Sequence, residues 1–505
     1  MKTKHFFGTR RSGDVIALLA GALLTLAFAP FNFSPLGIIC PALLLATWLE
    51  VSPWKAFWRG WLFGLGLFTT GIYWIYISIH NFGNASVFLS LFITVGLIAL
   101  VALFPALSGY LLNKLYPRFT VAKTLLAFPA IWVFMEWARS WFLTGFPWLS
   151  LGYSQMNSSL RGYAPLFGIY GVSLVVLISS ALILNTFLQA KPHDSKSIRT
   201  QYPYLFYLLI LWGVGAGFTF ISWTAPSGYP VQVSLVQGNI PQQLKWSHDE
   251  IQPTLDRYET LTKQHLDSKI IIWPEGAIPQ LLQDAKPFVN KMITEAKLHK
   301  SAILTGIPVK APDKEGYYNA IITLGDGHGI YYKHRLVPFG EYIPMPSLLQ
   351  GILGSLDIPM SEFISGSQFT PPIEVGDIKI SAFICYEIAF PEQVLDKQAC
   401  AGIILTVSND AWFGHSIAQA QHLQMAQMRA LENGRPVLFV SNDGITAIIG
   451  PNGEIQSAAA PFQTTVLTDK VQPQKGKTPW QHDGMDPLFL VLIVFLIIAF
   501  RARKS

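Results

Sequence analysis

The sequence predicts a polytopic α-helical membrane protein of about eight spans, with one α/β domain inserted before the last span. Two observations indicate this class. Only 13% of the 505 residues are charged, about half the share of an ordinary soluble domain. Long apolar runs occupy the beginning and the end of the chain, whereas residues 225–484 contain none. The 51% hydrophobic content and the low charge exclude a disordered or fibrous protein, and the count of three cysteines excludes a small disulfide scaffold.

Eight apolar runs define the predicted spans. They cover residues 15–30, 36–51, 57–79, 87–112, 125–143, 165–188, 204–221 and 487–500. Most of them reach the ~20 residues that a helix needs to cross ~30 Å of hydrocarbon. The last run has 14 residues, a length that suits a buried or interfacial helix as well as a span. The predicted domains are a membrane domain at 1–224, an inserted domain at 225–484, and a final span with a basic tail at 485–505.

The basic residues predict an orientation. Fifteen Lys and Arg residues lie in the two tails and in alternate connections, whereas the opposite short connections hold one, Arg161. Basic loops stay in the cytoplasm, so both termini are expected there and the number of spans is even. This parity favours counting 487–500 as a span. The inserted domain has 19 basic and 25 acidic residues against a net charge of +6 for the chain, so the positive charge reflects topology and not nucleic-acid binding.

Two features of the membrane part leave alternatives open. The basic N-terminal tail, the first apolar run and the A-x-A sequence at 27–29 resemble a signal peptide. Pro30 is unfavourable after a cleavage site and more spans follow, so an uncleaved first span is preferred. Glu136 and Arg139 lie on one helical face. They form a lipid-headgroup or proton site, or they form a buried ion pair or simply lie close to the outer interface, and one of the two structural interpretations is preferred.

The inserted domain alternates strand and helix patterns. Strand patterns cover residues 231–235, 270–273, 302–307, 320–324, 330–332, 378–384, 403–407, 437–440 and 445–449, and helix patterns cover 253–266, 287–299 and 417–433. Turn residues at 325–329 and 451–453 predict hairpins. The pattern is typical of an α/β domain with added hairpins.

Three strand patterns end at residues suited to chemistry. Glu275 follows one of them beside Trp273, where an apolar neighbour favours a general base. Lys333 ends a second, and an ammonium there could stabilise an oxyanion or a thiolate. Cys385 ends a third and is a candidate nucleophile. Each has an ordinary alternative when taken singly: an exposed carboxylate, a solvated lysine, and a buried structural cysteine.

A disulfide is a further alternative for the cysteine. Cys400 lies fifteen residues after Cys385, and a bridge between them would persist outside the cytoplasm and block thiol chemistry. Cys40 lies in a membrane run. The cysteine spacing matches no zinc pattern, so no metal is predicted. The chain has no G-x-S-x-G elbow for a serine nucleophile.

Taken together, these segments resemble the nitrilase superfamily, whose members carry a Glu–Lys–Cys triad in an αββα sandwich. The matching motifs are Trp-Pro-Glu275, Tyr-x-Lys333 with Leu-Val-Pro-Phe-Gly-Glu341, and Cys385-Tyr-Glu387. Residues 408–414, 429–436 and 441–444 also match. The resemblance therefore implies a nitrilase-like αββα sandwich as the inserted α/β domain.

Seven spans, such a domain and a last span resemble the apolipoprotein N-acyltransferase family over essentially the whole chain. Phe390-Pro391, the run at 409–414, and residues 236–241 leading to Trp246 are typical of that family. The resemblance implies that Glu275 is the base for Cys385 and that Lys333 holds the oxyanion. It also implies that Glu341 orients Lys333 and that Glu387 supports the site. Weaker candidates for positioning substrate or moving with a lid are Asn319, Tyr386, Trp246 and Trp412.

The reaction implied by this resemblance is a two-step acyl transfer in the bacterial inner membrane. An acyl chain moves from a phospholipid, phosphatidylethanolamine, through a thioester on Cys385 to the α-amino group of a diacylglyceryl-cysteine lipoprotein. No cofactor, metal or nucleic acid is implied, and a periplasmic catalytic domain on a monomer is expected. Loops at 339–354 and 357–368 are candidates for keeping water from the thioester. Their apolar residues either contact the membrane or form a helix packed on the domain: Leu348, Leu349, Ile352, Leu353 and Leu356.

Three other functions remain as alternatives. A membrane-anchored amidase or nitrilase would use the same triad on a soluble amide, but it gives no reason for so large a membrane part. A transporter would need ionisable residues within its spans, and only Glu136 and Arg139 qualify. A lipoprotein-binding protein without activity would require the triad to be accidental. Substitution of Cys385 separates this last case from the enzymes.

Overall fold

The computed structural model describes residues 11–83, 85–189, 195–312, 314–342, 362–395 and 401–503. The chain divides into two compact units. The helical unit consists of Met1–Tyr73, Leu91–Ser222 and Asp483–Ser505, and the sheet unit consists of Trp74–Ser90 and Trp223–His482. Cys400 and the apolar residues between 348 and 356 lie outside the described residues, and the predictions made for them stay predictions.

Every predicted apolar run falls on helix. The helices of this part of the chain are Arg11–Leu24, Leu36–Trp48, Pro53–Gly71, Trp74–Ile77, Val87–Val101, Leu103–Leu115, Phe128–Arg139, Ala164–Gln189, Ser195–Thr219 and Asp486–Ala502. Local signals set some of their ends. Ser52, for example, accepts a hydrogen bond from the backbone N–H of Lys55, and Pro53 opens the helix that follows, a common pair of N-terminal residues.

Three of the described helices are long and apolar enough to cross a membrane. They are Val87–Leu115, Ser159–Leu188 and Gln201–Thr219, and the pair Pro53–Gly71 with Trp74–Phe82 makes a fourth if it counts as one broken span. Leu36–Trp48 is a shorter apolar helix, and the predicted last span is a helix of 17 residues, Asp486–Ala502. An apolar helical region is therefore present, and the count of eight spans stays a prediction.

Glu136 and Arg139 are both buried and both bind the chain that follows their helix. Glu136 Oε1 accepts a hydrogen bond from the backbone N–H of Leu151 at 2.7 Å. Arg139 donates to the carbonyl oxygens of Phe146, at 2.9 Å, and of Trp148. The two side chains thus anchor the loop at 146–151, which is a structural role.

Two β-sheets form the sheet unit. In spatial order the six-stranded sheet consists of Thr465–Val471, Val231–Gln237, Ile270–Ile272, Ala302–Lys310, Tyr317–Gly325 and Ile330–Tyr332. The seven-stranded sheet consists of Ile455–Ala459, Thr446–Ile449, Val437–Ser441, Ile403–Ser408, Ile378–Ile384, Ile373–Val375 and Gly327–His328. Ala225–Pro226 pairs separately with Gln474–Lys475. The central strands of both sheets run parallel, which accounts for their nearly continuous apolar sequences.

The main core lies between the two sheets, where residues such as Ile272, Leu405 and Val440 are fully buried. Helices cover the outer faces. His248–Lys263 and Lys286–Leu298 pack on the six-stranded sheet, and Ala418–Asn433 packs on the other. The last of these ends at Gly434, whose φ of +57° suits glycine. The layers are helix, sheet, sheet, helix, so the predicted αββα sandwich is confirmed.

All nine predicted strands and all three predicted helices of this domain are present, with small shifts at their ends. Two longer strands were not predicted, Ile455–Ala459 and Thr465–Val471. Both lie at the edge of their sheet and carry partly exposed, polar residues, so they lack the apolar run that marks the central strands. Ile373–Val375, a three-residue strand with an exposed glutamate at its centre, was also not predicted. A four-residue helix, Pro391–Val394, follows Cys385 and was also not predicted.

Candidate active site

The three candidate catalytic residues follow the ends of three strands. Glu275 follows Ile270–Ile272 and Lys333 follows Ile330–Tyr332, both in the six-stranded sheet. Cys385 follows Ile378–Ile384 in the seven-stranded sheet. The candidate site is therefore assembled from both sheets, in the loops beyond the strand ends, where function is commonly placed.

Lys333 is buried between two carboxylates. Its ammonium group lies 2.9 Å from Glu341 Oε1 and 3.4 Å from Glu275 Oε1, and the side chain is 1% exposed. Burial acts to lower the pKa of Lys333, but the charges of Glu275 and Glu341 outweigh it and hold the pKa above its usual value. The lysine is therefore charged at neutral pH, although it lies out of water.

Asn319 binds both of these carboxylates. Its Nδ2 donates to Glu275 Oε1 at 2.7 Å and to Glu341 Oε1 at 3.0 Å. Strand pairing explains its place, because the backbone N–H of Lys333 donates to the carbonyl of Asn319 at 2.8 Å. Glu341 is fixed in turn by the backbone N–H of Val337, which donates to its Oε2 at 2.8 Å. The predicted supporting residues Asn319 and Glu341 thus contact the pair that they were expected to support.

The position of Glu275 is fixed from two further sides. Its Oε2 accepts a hydrogen bond from the backbone N–H of Asn409 at 3.0 Å. On the other side, a Cβ atom at Gly306 would lie 2.6 Å from the carbonyl oxygen of Pro274 and 2.7 Å from the Cα of Glu275. Only glycine allows so close an approach of the two backbones. The hydrogen bond and the close backbone packing thereby hold the Glu275 carboxylate in one position.

Cys385 is held in a backbone conformation that is rare for a residue other than glycine, with a φ of +54°. The residue is partly exposed and forms no disulfide among the described residues. Burial and the charge of Glu275 raise the pKa of the Cys385 thiol, while Lys333 acts to lower it. The resting side chain is therefore a thiol, and a base is needed to form the nucleophilic thiolate.

A histidine behind Cys385 holds the peptide of the nucleophile. His422 Nε2 lies 3.1 Å from the carbonyl oxygen of Cys385, and its Nδ1 lies 3.0 Å from Asp410 Oδ1. Ser408 Oγ donates to the same Asp410 oxygen at 2.6 Å. Both ring nitrogens thus face oxygen acceptors, and this arrangement supports the unusual backbone conformation at Cys385.

Glu387 joins the segment after Lys333 to the segment around Cys385. Five donors surround its fully buried carboxylate: the backbone N–H groups of His334 (2.9 Å), Arg335 (2.9 Å) and Ile384 (2.8 Å), Gln393 Nε2 (2.7 Å) and Tyr331 OH (2.8 Å). Burial raises the pKa of Glu387, against the backbone donors, which lower it. The side chain is a brace between the two sheets.

The aromatic candidates pack against other aromatic rings or are partly exposed to solvent. Tyr386 packs edge-to-face on Phe390 at a centroid distance of 4.9 Å, and Trp246 is 39% exposed. Trp412 packs against Phe82 at 6.0 Å, and its carbonyl oxygen accepts a hydrogen bond from Ser78 Oγ at 2.7 Å. The contacts of Trp412 are thus with the segment Trp74–Ser90 of the same unit.

Several residues of the site had no role predicted from the sequence. Asn409 and Asp410 belong to the run at 408–414, which matched the family motif without a stated function. Lys245 directly precedes Trp246, and its Nζ donates to the carbonyl oxygen of Glu275 at 2.8 Å. His422 lies in a predicted helix. Their motifs or neighbours were visible, but the convergence of these side chains is not encoded in local spacing.

A carboxylate, a buried ammonium and a cysteine at the strand ends of an αββα sandwich define a carbon–nitrogen hydrolase domain of the nitrilase type. Residues 232–478 match the carbon-nitrogen hydrolase family, and residues 20–182 match the apolipoprotein N-acyltransferase N-terminal domain. A relative named apolipoprotein N-acyltransferase is 45% identical and covers 96% of this chain, so the chain belongs to the apolipoprotein N-acyltransferase family.

Several apolipoprotein N-acyltransferases match this chain over nearly its whole length. A Coxiella burnetii apolipoprotein N-acyltransferase is 45% identical over 488 residues, covering 96% of this chain and 99% of that protein. The Azotobacter vinelandii relative is 40% identical over 501 residues, covering 98% and 96%. The Pseudomonas aeruginosa relative is 40% identical over 496 residues, covering 97% and 96%. The similarity therefore extends over both the helical and the sheet units.

The brace formed by Glu387 generates the first prediction. Glu387→Gln places an amide among five donors, and we expect a lower melting temperature, corresponding to about 1–3 kcal/mol. We also expect slower alkylation of the Cys385 thiol, because the loop that presents it loses its anchor. Differential scanning fluorimetry and a timed iodoacetamide reaction measure the two effects.

Glu374→Gln is the matched control, since Glu374 is exposed and its ion pair with Lys379 Nζ, at 3.7 Å, is long and also exposed. Its melting temperature and alkylation rate should equal those of the wild type. If both variants behave alike, Glu387 is not the brace described here.

Proposed function

We propose that this chain, an N-acyltransferase by family, moves an acyl chain from a phospholipid to the α-amino group of a diacylglyceryl-cysteine apolipoprotein through a thioester on Cys385. This would complete the last step of lipoprotein maturation. The observation that carries the proposal is the buried Lys333 ammonium, which is held by Glu275 and Glu341. The charges of Lys333 and Glu275 both act on the Cys385 thiol. This set offers a nucleophile, a base and a cation for an oxyanion.

In the first half-reaction Glu275 takes the proton from the Cys385 thiol. The thiolate attacks the ester carbonyl of the phospholipid, and a bond forms between Sγ and the carbonyl carbon. Lys333 stabilises the negative oxygen of the tetrahedral intermediate. The bond to the glycerol oxygen then breaks, and the lysophospholipid leaves with the proton that Glu275 had taken. The acyl group remains on Cys385 as a thioester.

In the second half-reaction the uncharged α-amino group of the lipoprotein attacks the thioester carbonyl. Glu275 takes a proton from the attacking nitrogen, and Lys333 again stabilises the oxyanion. The bond between carbon and sulfur breaks, the thiolate of Cys385 regains a proton from Glu275, and the amide is released. Each half-reaction begins and ends with an ionised Glu275, so the same groups serve both steps.

The supporting residues have roles that follow from their contacts. Glu341 and Asn319 orient Lys333 and Glu275, because each makes a hydrogen bond to that pair. Glu387 holds the nucleophile loop against the end of the Lys333 strand. For Tyr386, Trp246 and Trp412 the proposal remains contact with substrate or with a moving cover over the site. Trp246 suits this role by its partial exposure.

We further infer the arrangement in the membrane. The proposal is eight spans in the bacterial inner membrane, seven of them in 1–224 and the last in 485–505, with cytoplasmic termini, a periplasmic catalytic domain at 225–484, and a monomer. Its support is the distribution of fifteen basic residues against one across the connections. The acyl donor, proposed to be phosphatidylethanolamine, and the lipoprotein acceptor are both anchored in a bilayer. This shared anchoring gives a reason for the membrane part that an amidase acting on soluble substrates lacks.

Reporter activity tests this topology. Alkaline phosphatase is active only outside the cytoplasm, so we expect activity when it is inserted at the exposed Asn452 of the turn at 451–453 and none when it follows Arg503. The reverse pattern, or activity at both positions, would contradict the proposed orientation. Membrane fractionation of both fusions serves as the control for insertion.

A direct test of the mechanism is the acyl adduct. The purified full-length protein in detergent is incubated with phosphatidylethanolamine carrying a tagged sn-1 acyl chain. We expect a hydroxylamine-labile adduct on the peptide that contains Cys385, and its discharge when a diacylated lipopeptide is added. Discharge to water alone, with no acylated lipopeptide, would favour the amidase alternative.

Cys385→Ala should abolish the adduct and Cys40→Ala should retain it, because Cys40 is buried in the helical unit. No adduct on the wild type, with intact lipid and a free Cys385 thiol, would overturn the acyltransferase mechanism.

A further inference from the structure

Lys245 places a second buried ammonium group at the site. The residue lies between the strand Val231–Gln237 and the helix His248–Lys263 and is 3% exposed. Its Nζ donates to the carbonyl oxygen of Glu275 at 2.8 Å. The same nitrogen would lie 3.2 Å from a Cβ atom at Gly276, where φ is +58°. Lys245 is thus packed directly beneath the turn that presents the Glu275 carboxylate.

A charged group is an expensive way to satisfy one backbone carbonyl, because burial of an ammonium costs far more than burial of a neutral donor. The surroundings of Lys245 show what the charge faces. Glu275, Asp443 and Cys385 all interact electrostatically with it, and each favours its charged form. Burial has the largest effect and lowers the pKa of Lys245 to about 8, against those three groups. The lysine is therefore charged at neutral pH and loses its charge in mildly alkaline solution.

The charges of the site show why a second cation would be useful. At rest, the Lys333 ammonium faces two carboxylates, Glu275 and Glu341. After Glu275 has taken the thiol proton, the Cys385 thiolate and Glu341 are the negative groups around Lys333, so the excess of one negative charge is the same as at rest. Asp410 and, above a pH of about 7, Asp443 add further negative charge nearby. A site of this kind carries an excess negative charge in a poorly solvated place, which disfavours the thiolate. The ammonium of Lys245 offsets one unit of that negative charge.

We propose that Lys245 is a positioning and charge-balancing residue for acyl transfer, which holds the Glu275 turn through its carbonyl and stabilises the Cys385 thiolate. The inference rests on the proposed function for its place in the reaction. It concerns both half-reactions, because the thiolate is the attacking group in the first and the leaving group in the second.

Asp443 sets the pH range over which Lys245 can act. Burial and the neighbouring charge of Asp410 raise the pKa of Asp443 to about 7, while Lys245 acts to lower it. Below that pH Asp443 is neutral and the charge of Lys245 acts on Glu275 and Cys385 alone. Above a pH of about 8 the ammonium deprotonates, and its support for the thiolate is lost.

The test compares Lys245→Met, which removes the charge but keeps the length, with Lys245→Arg, which retains a cation. The full-length variants in detergent are alkylated with iodoacetamide over a range of pH, and mass spectrometry follows the peptide that contains Cys385. For Lys245→Met we expect the apparent pKa of the thiol to rise by about one unit, and the acyl adduct to form about tenfold more slowly. Lys245→Arg should restore most of the alkylation rate and extend it to higher pH.

Lys269→Met is the matched control. Lys269 Nζ also donates to a backbone carbonyl, that of Lys300 at 2.9 Å, but it is exposed and lies outside the site. Its alkylation profile should coincide with that of the wild type.

The proposal is overturned if Lys245→Met is folded and its alkylation profile coincides with that of the wild type. Should Lys245→Met fail to fold, Lys245→Gln keeps a neutral donor for the Glu275 carbonyl, and a wild-type profile for that variant overturns the proposal equally. A loss of stability with an unchanged thiol pKa indicates a structural role only and also counts against it. The alkylation needs no lipid substrate, so its result stands apart from failure of the wild type to form the acyl adduct.

Discussion

The ammonium of Lys333, shared by Glu275 and Glu341, is the interaction on which the candidate site depends. A lysine that is 1% exposed remains charged because two carboxylates and a bridging asparagine surround it. Removal of Lys333 would leave two largely buried carboxylates without compensation, which costs several kcal/mol in proteins, about 3–5. The same contacts fix Glu275, the proposed base, and Lys333, the proposed oxyanion cation, relative to each other. Charge burial and catalytic geometry are thus one constraint.

The second constraint is that the site is assembled from two sheets. Glu275 and Lys333 follow strands of one sheet, and Cys385 follows a strand of the other. Glu387 links them by accepting hydrogen bonds from backbone N–H groups on both sides. The apolar core between the sheets keeps the strand ends in register. A rigid αββα sandwich can in this way hold a cysteine in a strained conformation and a base at a fixed place beside it.

Most of the sandwich could be predicted from the sequence, because parallel central strands such as Ile403–Ser408 are buried on both faces and form plain apolar runs. The edge strands could not, since Thr465–Val471 carries polar, partly exposed residues. The order of Glu275, Lys333 and Cys385 indicated the triad through the family motifs. The roles of Lys245, Asn409 and His422 could not be predicted, because they arise from contacts between segments that are distant in the sequence. For the helices, apolar runs predicted the elements, but their lengths alone do not fix a number of spans.

The central claim is that one site carries the acyl group on Cys385 between two half-reactions. Initial-rate kinetics, with the phospholipid and the diacylated lipopeptide varied together, test it most directly. Transfer through a thioester predicts parallel lines in the double-reciprocal plots, because the lysophospholipid leaves before the lipopeptide reacts. Intersecting lines would show that both substrates must be bound before any product leaves, and would contradict a thioester intermediate that exists free of the acceptor.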